Sequence, residues 1–114
     1  MLDPRVQLIT VSGALDLAAE RRLRSDLSEA AGVPSREVVI DLRGVTFMDS
    51  SALAVLVHAN QQFQRQGRVI ACVTRAGPVQ RLLDVTGLHH ALQVFNTLED
   101  AAAHVLRNVP PRPS

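Results

Sequence analysis

Three short and almost unbroken apolar runs, Val6–Val11, Val38–Leu42 and Val69–Val73, are separated by segments whose apolar residues recur at three-to-four spacing. This alternation constrains the fold more than any other feature of the chain. Runs with so little polar interruption suit strands covered on both faces or placed at the centre of a sheet. Gln93-Val94-Phe95 is a weaker fourth run. The intervening segments read as helices. Asp16 can cap a helix carrying Leu23, Leu27 and Ala30 or Ala31, ending near Gly32. Leu53, Leu56, Val57, Asn60 and Phe63 mark the inward face of a second, closed by Gly67. Pro78 opens a third, with Val79, Leu82 and Leu83 inward and Gly87 as its stop. Asn96-Thr97-Leu98-Glu99 announces a fourth, bearing Leu98, Ala101, Ala102 and Val105. The order β-α-β-α-β-α-β-α predicts an α/β domain with a small, mixed or mostly parallel sheet. Right-handed crossovers place its helices mainly on one face.

A chain of 114 residues suits one such domain. We assign it residues 1–109 and expect the proline-rich 110–114 to form a flexible tail. The net charge of +1 creates no global field toward nucleic acid or an anionic membrane, so neither direct nucleic-acid binding nor membrane insertion is expected. No apolar run reaches the length of a membrane span, and Met1-Leu2-Asp3-Pro4 lacks the pattern of a signal peptide, which predicts a cytoplasmic protein. All 12 basic residues are arginine, which excludes Schiff-base lysine chemistry and a lysine-bearing phosphate loop. Tryptophan and tyrosine are absent, which weakens any case for base stacking. Cys72 is the single cysteine and lies within an apolar run, where a buried thiol acts as a small hydrophobe.

The segment Val45-Thr46-Phe47-Met48-Asp49-Ser50-Ser51 joins a predicted strand directly to a predicted helix. Aspartate and serine are favoured at helix N-caps, because their side-chain oxygens accept the orphan backbone N–H groups there. One cap needs one side chain, however, and three polar residues stand in a row. No Glu or Gln follows three positions after either serine, so a reciprocal capping box is missing. At least one hydroxyl is left to face solvent or a partner. A phosphate on it would meet the positive end of the helix dipole, and would add roughly −1.5 to −2 charges beside Asp49. At about 100° per residue, Ser51, Val55, His58 and Gln62 fall on the face opposite the apolar stripe, making Val55 an exposed contact candidate.

In these segments the chain closely resembles the STAS-domain family, and within it the bacterial anti-sigma factor antagonists. Gly13-Ala14-Leu15-Asp16 is similar to the family's Gly-Glu-Leu-Asp turn. Val39-Ile40-Asp41-Leu42 with Val45 to Leu53 is similar to its strand and phosphorylation loop, and Val79 to Leu88 to its third helix and turn. The resemblance implies that the chain binds an anti-sigma factor, usually a GHKL-type serine kinase, and so releases a sigma factor. It implies phosphorylation at Ser50, reversal by a PP2C-type phosphatase, and a contact surface near Asp16; together with the serine loop and the outward face of the following helix, the expected contact residues are Asp16, Asp49, Ser51, Ala52, Val55 and His58. A weak homodimer is compatible with this reading. Ala52 stands where the family has glycine, and Ala14 where it has glutamate. The family also carries an edge strand before the one at Val6, which Met1 to Arg5 can hardly supply. The alternative is a STAS binding subunit of another assembly, such as a stressosome or lipid-transport complex, with the serines serving only as a cap.

Other constellations point to no catalytic set, metal or cofactor. Adjacent His89 and His90 direct their rings apart, and His104 reads as solvated. Arg21, Arg22 and Arg24, interspersed with Glu20 and Asp26, read as a mixed charged helix face. No Gly-x-Ser-x-Gly elbow surrounds the serine pair. The side-chain direction of Asp41, a conceivable partner for Asp49, stays open.

Overall fold

The computed structural model describes residues 3–33 and 36–107. The predicted alternation is present, as β1 (Val6–Ala14), α1 (Leu17–Ala31), β2 (Glu37–Phe47), α2 (Ser50–Arg65), β3 (Ile70–Val73), α3 (Pro78–Thr86), β4 (Gln93–Phe95) and α4 (Leu98–Arg107). A short 3-10 helix at Leu88–His90 precedes β4. Residues 110–114, expected to be a flexible tail, lie outside the described residues.

The four strands pair in chain order, β1-β2-β3-β4, and every pair is parallel. Each of α1, α2 and α3 therefore crosses between adjacent strands. Right-handed crossovers repeated in one direction put their helices on the same face. Leu23, Leu27, Leu53, Leu56, Phe63 and Leu83 accordingly share one core with Ile40, Leu42, Ile70 and Cys72. α4 follows the last strand and closes no crossover. It covers the other face, packing Ala101, Ala102 and Val105 with Val39, Ala71 and Val73. Three helices on one face agree with the sequence reading, and the sheet is wholly parallel among the described residues.

Period-two alternation explains the unbroken apolar runs. In β2, Val38 and Ile40 face the three-helix side while Val39 faces α4, so both sets of side chains are buried. Cys72 lies within this layered core, where burial pushes its thiol up to about 12. It is a packing residue, not an available nucleophile.

Two features fix the ends of the layers. At the C-terminal end of β1, the pairing register shifts between Thr10 and Ser12 and again between Gly13 and Ala14. Gly13 takes a φ of +75° there, a left-handed conformation that glycine adopts without steric cost. At the opposite end of the sheet, the buried guanidinium of Arg68 collects backbone carbonyls at the end of α1. Its Nη2 donates to Ala30 O at 3.2 Å, Val33 O at 3.1 Å and Arg36 O at 2.7 Å, and its Nη1 donates to Ala31 O at 3.1 Å. The guanidinium carbon also stands 4.3 Å from the centroid of the Phe63 ring. One side chain thus gathers the carbonyls at and beyond the end of α1, some of which, such as Ala30 O, also accept a backbone N–H, and joins α1, α2 and the start of β3.

His104 departs from expectation. It is partly buried, with its ring centroid 4.9 Å from that of Phe95. Desolvation, aided by the nearby charge of Arg107, pushes its pKa down. The amphipathic face of α4 is wider than its aliphatic residues alone suggest.

Candidate functional site

Because the strands are parallel, the N-termini of α1, α2 and α3 all emerge at the carboxyl end of the sheet. Two of these starts are fastened together. The backbone N–H of Leu15 donates to the carbonyl of Phe47 at 2.9 Å, linking the exit of β1 to the exit of β2. Asp16 and Asp49 follow as the N-caps of α1 and α2. Asp16 Oδ1 accepts from Ala19 N–H at 3.0 Å, and Asp49 Oδ1 accepts from Ala52 N–H at 3.1 Å. Both aspartates are extended, at φ −80°, ψ −174° and φ −109°, ψ 179°, as caps require.

With Asp49 as the cap, the two serines have different tasks. Ser50, the first helical residue, is exposed, and its hydroxyl meets no hydrogen-bond partner among the described residues. Ser51 instead donates its hydroxyl hydrogen to Glu20 Oε2 of α1 at 2.8 Å. Glu20 is 8% exposed, and its other oxygen is 3.4 Å from Arg24 Nη2. The spare hydroxyl required by the sequence argument is therefore that of Ser50.

Two expected contact residues occupy other positions. Val55, predicted to face solvent, is only 6% exposed, and Ala52 is fully buried at 0%. The reason is that α2 has two apolar neighbours, the sheet and α1. Ala52, Val55 and Ala59 form a second buried stripe beside the one formed by Leu53, Leu56 and Phe63. The methyl of Ala52 points into the core, so it presents no obstacle on the solvent side. His58 and Gln62 remain exposed along a groove of ≈ 620 Å³ between α1 and α2, with Val55 in its lining and Glu20 and Ser51 among its polar residues.

Sequence reasoning missed three residues here. Glu20 reads by charge as part of a mixed charged helix face, yet it lies at three-to-four spacing with Leu23 and Leu27, the signal of an inward position. Phe47 and Leu17 were unassigned, yet they are 53% and 62% exposed. They stand on the two joined strand exits, immediately before Met48-Asp49 and after Asp16. Large apolar side chains left open next to an unpartnered hydroxyl fit a protein-contact surface better than a catalytic pocket.

Asp41 takes no part in the site. Arg43 grips its carboxylate through Nε and Nη2, both at 2.9 Å, and this pairing holds the carboxyl below its ordinary range. Its partner is therefore an arginine in the same strand, not Asp49. Among the described residues, no three His, Cys, Asp or Glu side chains are grouped to hold a metal ion.

A family model described as the STAS domain matches residues 2–101. The anti-sigma F factor antagonist of Paenibacillus polymyxa is 30% identical over 92 residues, covering 80% of this chain and 79% of that protein. The anti-sigma-F factor antagonist RsfA of Mycobacterium tuberculosis is 30% identical over 96 residues, covering 82% and 75%. Among solved structures, an anti-sigma factor antagonist from Mycobacterium paratuberculosis superposes with a TM-score of 0.81 at 25% identity, over 91% of this chain and 88% of that one.

Proposed function

Since the chain belongs to the STAS domain family, and its relatives are named anti-sigma factor antagonists, we propose that it is a phosphorylation-controlled antagonist of an anti-sigma factor. In this reading the protein is a cytoplasmic binding module, not an enzyme. Its unphosphorylated form docks on the anti-sigma factor and frees a sigma factor. The anti-sigma factor, a GHKL-type serine kinase, phosphorylates Ser50 and thereby ends the contact; a PP2C-type phosphatase restores it.

The observation that carries this reading is the division of labour at the start of α2. Asp49 caps, Ser51 is held by Glu20, and Ser50 alone offers an exposed, unpartnered hydroxyl. Phosphoryl transfer forms a bond between Ser50 Oγ and the γ-phosphorus of ATP. It breaks the bond from that phosphorus to ADP and passes the hydroxyl proton to the kinase's base. The product sits at a helix N-terminus, whose dipole favours an anion, so the domain keeps its fold. A docked partner covering Phe47, Leu17 and Asp16 would instead meet an added dianion, with its repulsion and desolvation cost. The reading of the serines as a cap alone is disfavoured, because Ser50 makes no capping bond.

Incubation with ATP and the cognate kinase tests the assignment by intact mass. One phosphate is expected on the wild type and none on Ser50→Ala. Loss of the phosphate in Ser51→Ala with retention in Ser50→Ala would place the acceptor at the wrong serine.

A further inference from the structure

We infer that Glu20 decides which of the two adjacent serines can carry a phosphate, by withdrawing Ser51 and leaving Ser50. The biological use of this selection rests on the phospho-switch proposed above; the selection itself rests on geometry. Consecutive residues of a helix point about 100° apart, so Ser50 and Ser51 look in different directions from the same turn. Ser51 looks toward α1, where its hydroxyl donates to Glu20 Oε2 at 2.8 Å. Ser50 faces solvent with no acidic acceptor on its hydroxyl.

The two positions therefore respond differently to the same modification. A phosphate on Ser51 removes the donor that joins it to Glu20 and sets a dianion against a carboxylate that is only 8% exposed. Ser51 is itself exposed, so water reaches the phosphate but hardly the carboxylate, and screening of the pair is partial. Arg24, the nearby cation, has a side chain that is 68% exposed and touches the far oxygen of Glu20 at 3.4 Å, so it offsets little of the repulsion. A phosphate on Ser50 meets Asp49 instead, which is exposed and already holds the Ala52 N–H on one oxygen. Water and the N–H groups of the first turn are available to it.

Phosphoserine installed during translation at position 50 or 51 of the full chain tests this without any kinase. Thermal unfolding is followed at about pH 8, where the phosphate is a dianion. Phosphoserine at 50 is expected to leave the midpoint within about 2 °C of the unmodified chain, and phosphoserine at 51 to lower it by roughly 5 °C or more. In Glu20→Gln, which retains an acceptor but loses the charge, at least half of that loss should disappear. If the chain with phosphoserine 51 does not fold, its rescue by Glu20→Gln supports the inference in the same way. Equal midpoints for the two modified chains, or a loss at 51 that is unchanged by Glu20→Gln, overturn it. Because no kinase enters, a finding that Ser50 is not an acceptor in the cell would refute the proposed switch and leave this result to be judged separately.

Discussion

Leu15 N–H donates to the Phe47 carbonyl at 2.9 Å, and this bond sets the Asp16 loop of α1 beside the Asp49 loop of α2. The consequence is a composite surface at the carboxyl end of the sheet. It combines two capping aspartates, two exposed apolar side chains and one unpartnered serine.

Phe47 and Leu17 are exposed by 53% and 62%, so replacing them removes few internal contacts. Phe47→Ser and Leu17→Ser should each leave the unfolding midpoint within about 3 °C of wild type. Each should weaken binding to the cognate anti-sigma factor by about tenfold or more, as apolar anchors at an interface do. Calorimetric titration paired with thermal unfolding separates the two effects. Wild-type affinity in both variants would remove these residues from the interface.

Arg68 is a structural residue, and its guanidinium fork explains why lysine cannot replace it. An ammonium cannot reach the separated carbonyls of Ala30, Ala31, Val33 and Arg36 in one rigid plane. Arg68→Lys should cost about 2 kcal/mol in urea denaturation, with partner binding retained in the folded fraction. A loss below about 0.5 kcal/mol would show that water serves those carbonyls equally well.

Most of the architecture was legible because burial on both sheet faces leaves residues 38–40 of β2 and all of β3 apolar, and because capping residues such as Asp16 mark helix starts. The side of the sheet taken by α4 was less so, since a terminal helix closes no crossover and the chirality rule does not bind it. At the site, the Asp16 cap, a cap within Asp49-Ser50-Ser51 and a spare hydroxyl could be read from chemistry alone, but not which of those three residues caps. Val55 could not be placed, because a helix wedged between a sheet and another helix buries two stripes, and a single inward face was assumed. Glu20 was hidden for the converse reason: its charge suggested solvent, whereas its spacing from Leu23 and Leu27 indicated burial.

The ion pair of Asp41 and Arg43 gives a signed dependence on pH. Hydrogen bonding from Arg43 lowers the Asp41 pKa in the folded chain, so the unfolded chain takes up the proton first as pH falls. The contribution is complete above the ordinary carboxylate value near 4, and is lost as pH falls from there through the lowered folded value. Asp41→Asn should be less stable than wild type at neutral pH, with the gap closing as pH falls from the ordinary carboxylate value through the lowered folded one. Denaturant midpoints across that range check the sign. A gap that widens in acid would contradict it.

Cys72 is buried in the core, and its thiol pKa is pushed up to about 12. Iodoacetamide at neutral pH should leave the native chain unmodified over hours and label it completely in guanidinium, as read by intact mass. Rapid labelling of the native chain would mean that this face of the sheet opens.

A phosphate on Ser50 is proposed to end the contact with the anti-sigma factor while the domain stays folded. Release of sigma factor from its anti-sigma complex, titrated with unmodified chain and with chain bearing phosphoserine at 50, tests it most directly. The unmodified chain should displace the sigma factor, and the modified chain should need about tenfold higher concentration or more. Equal displacement by the two forms, with both folded, would contradict the account.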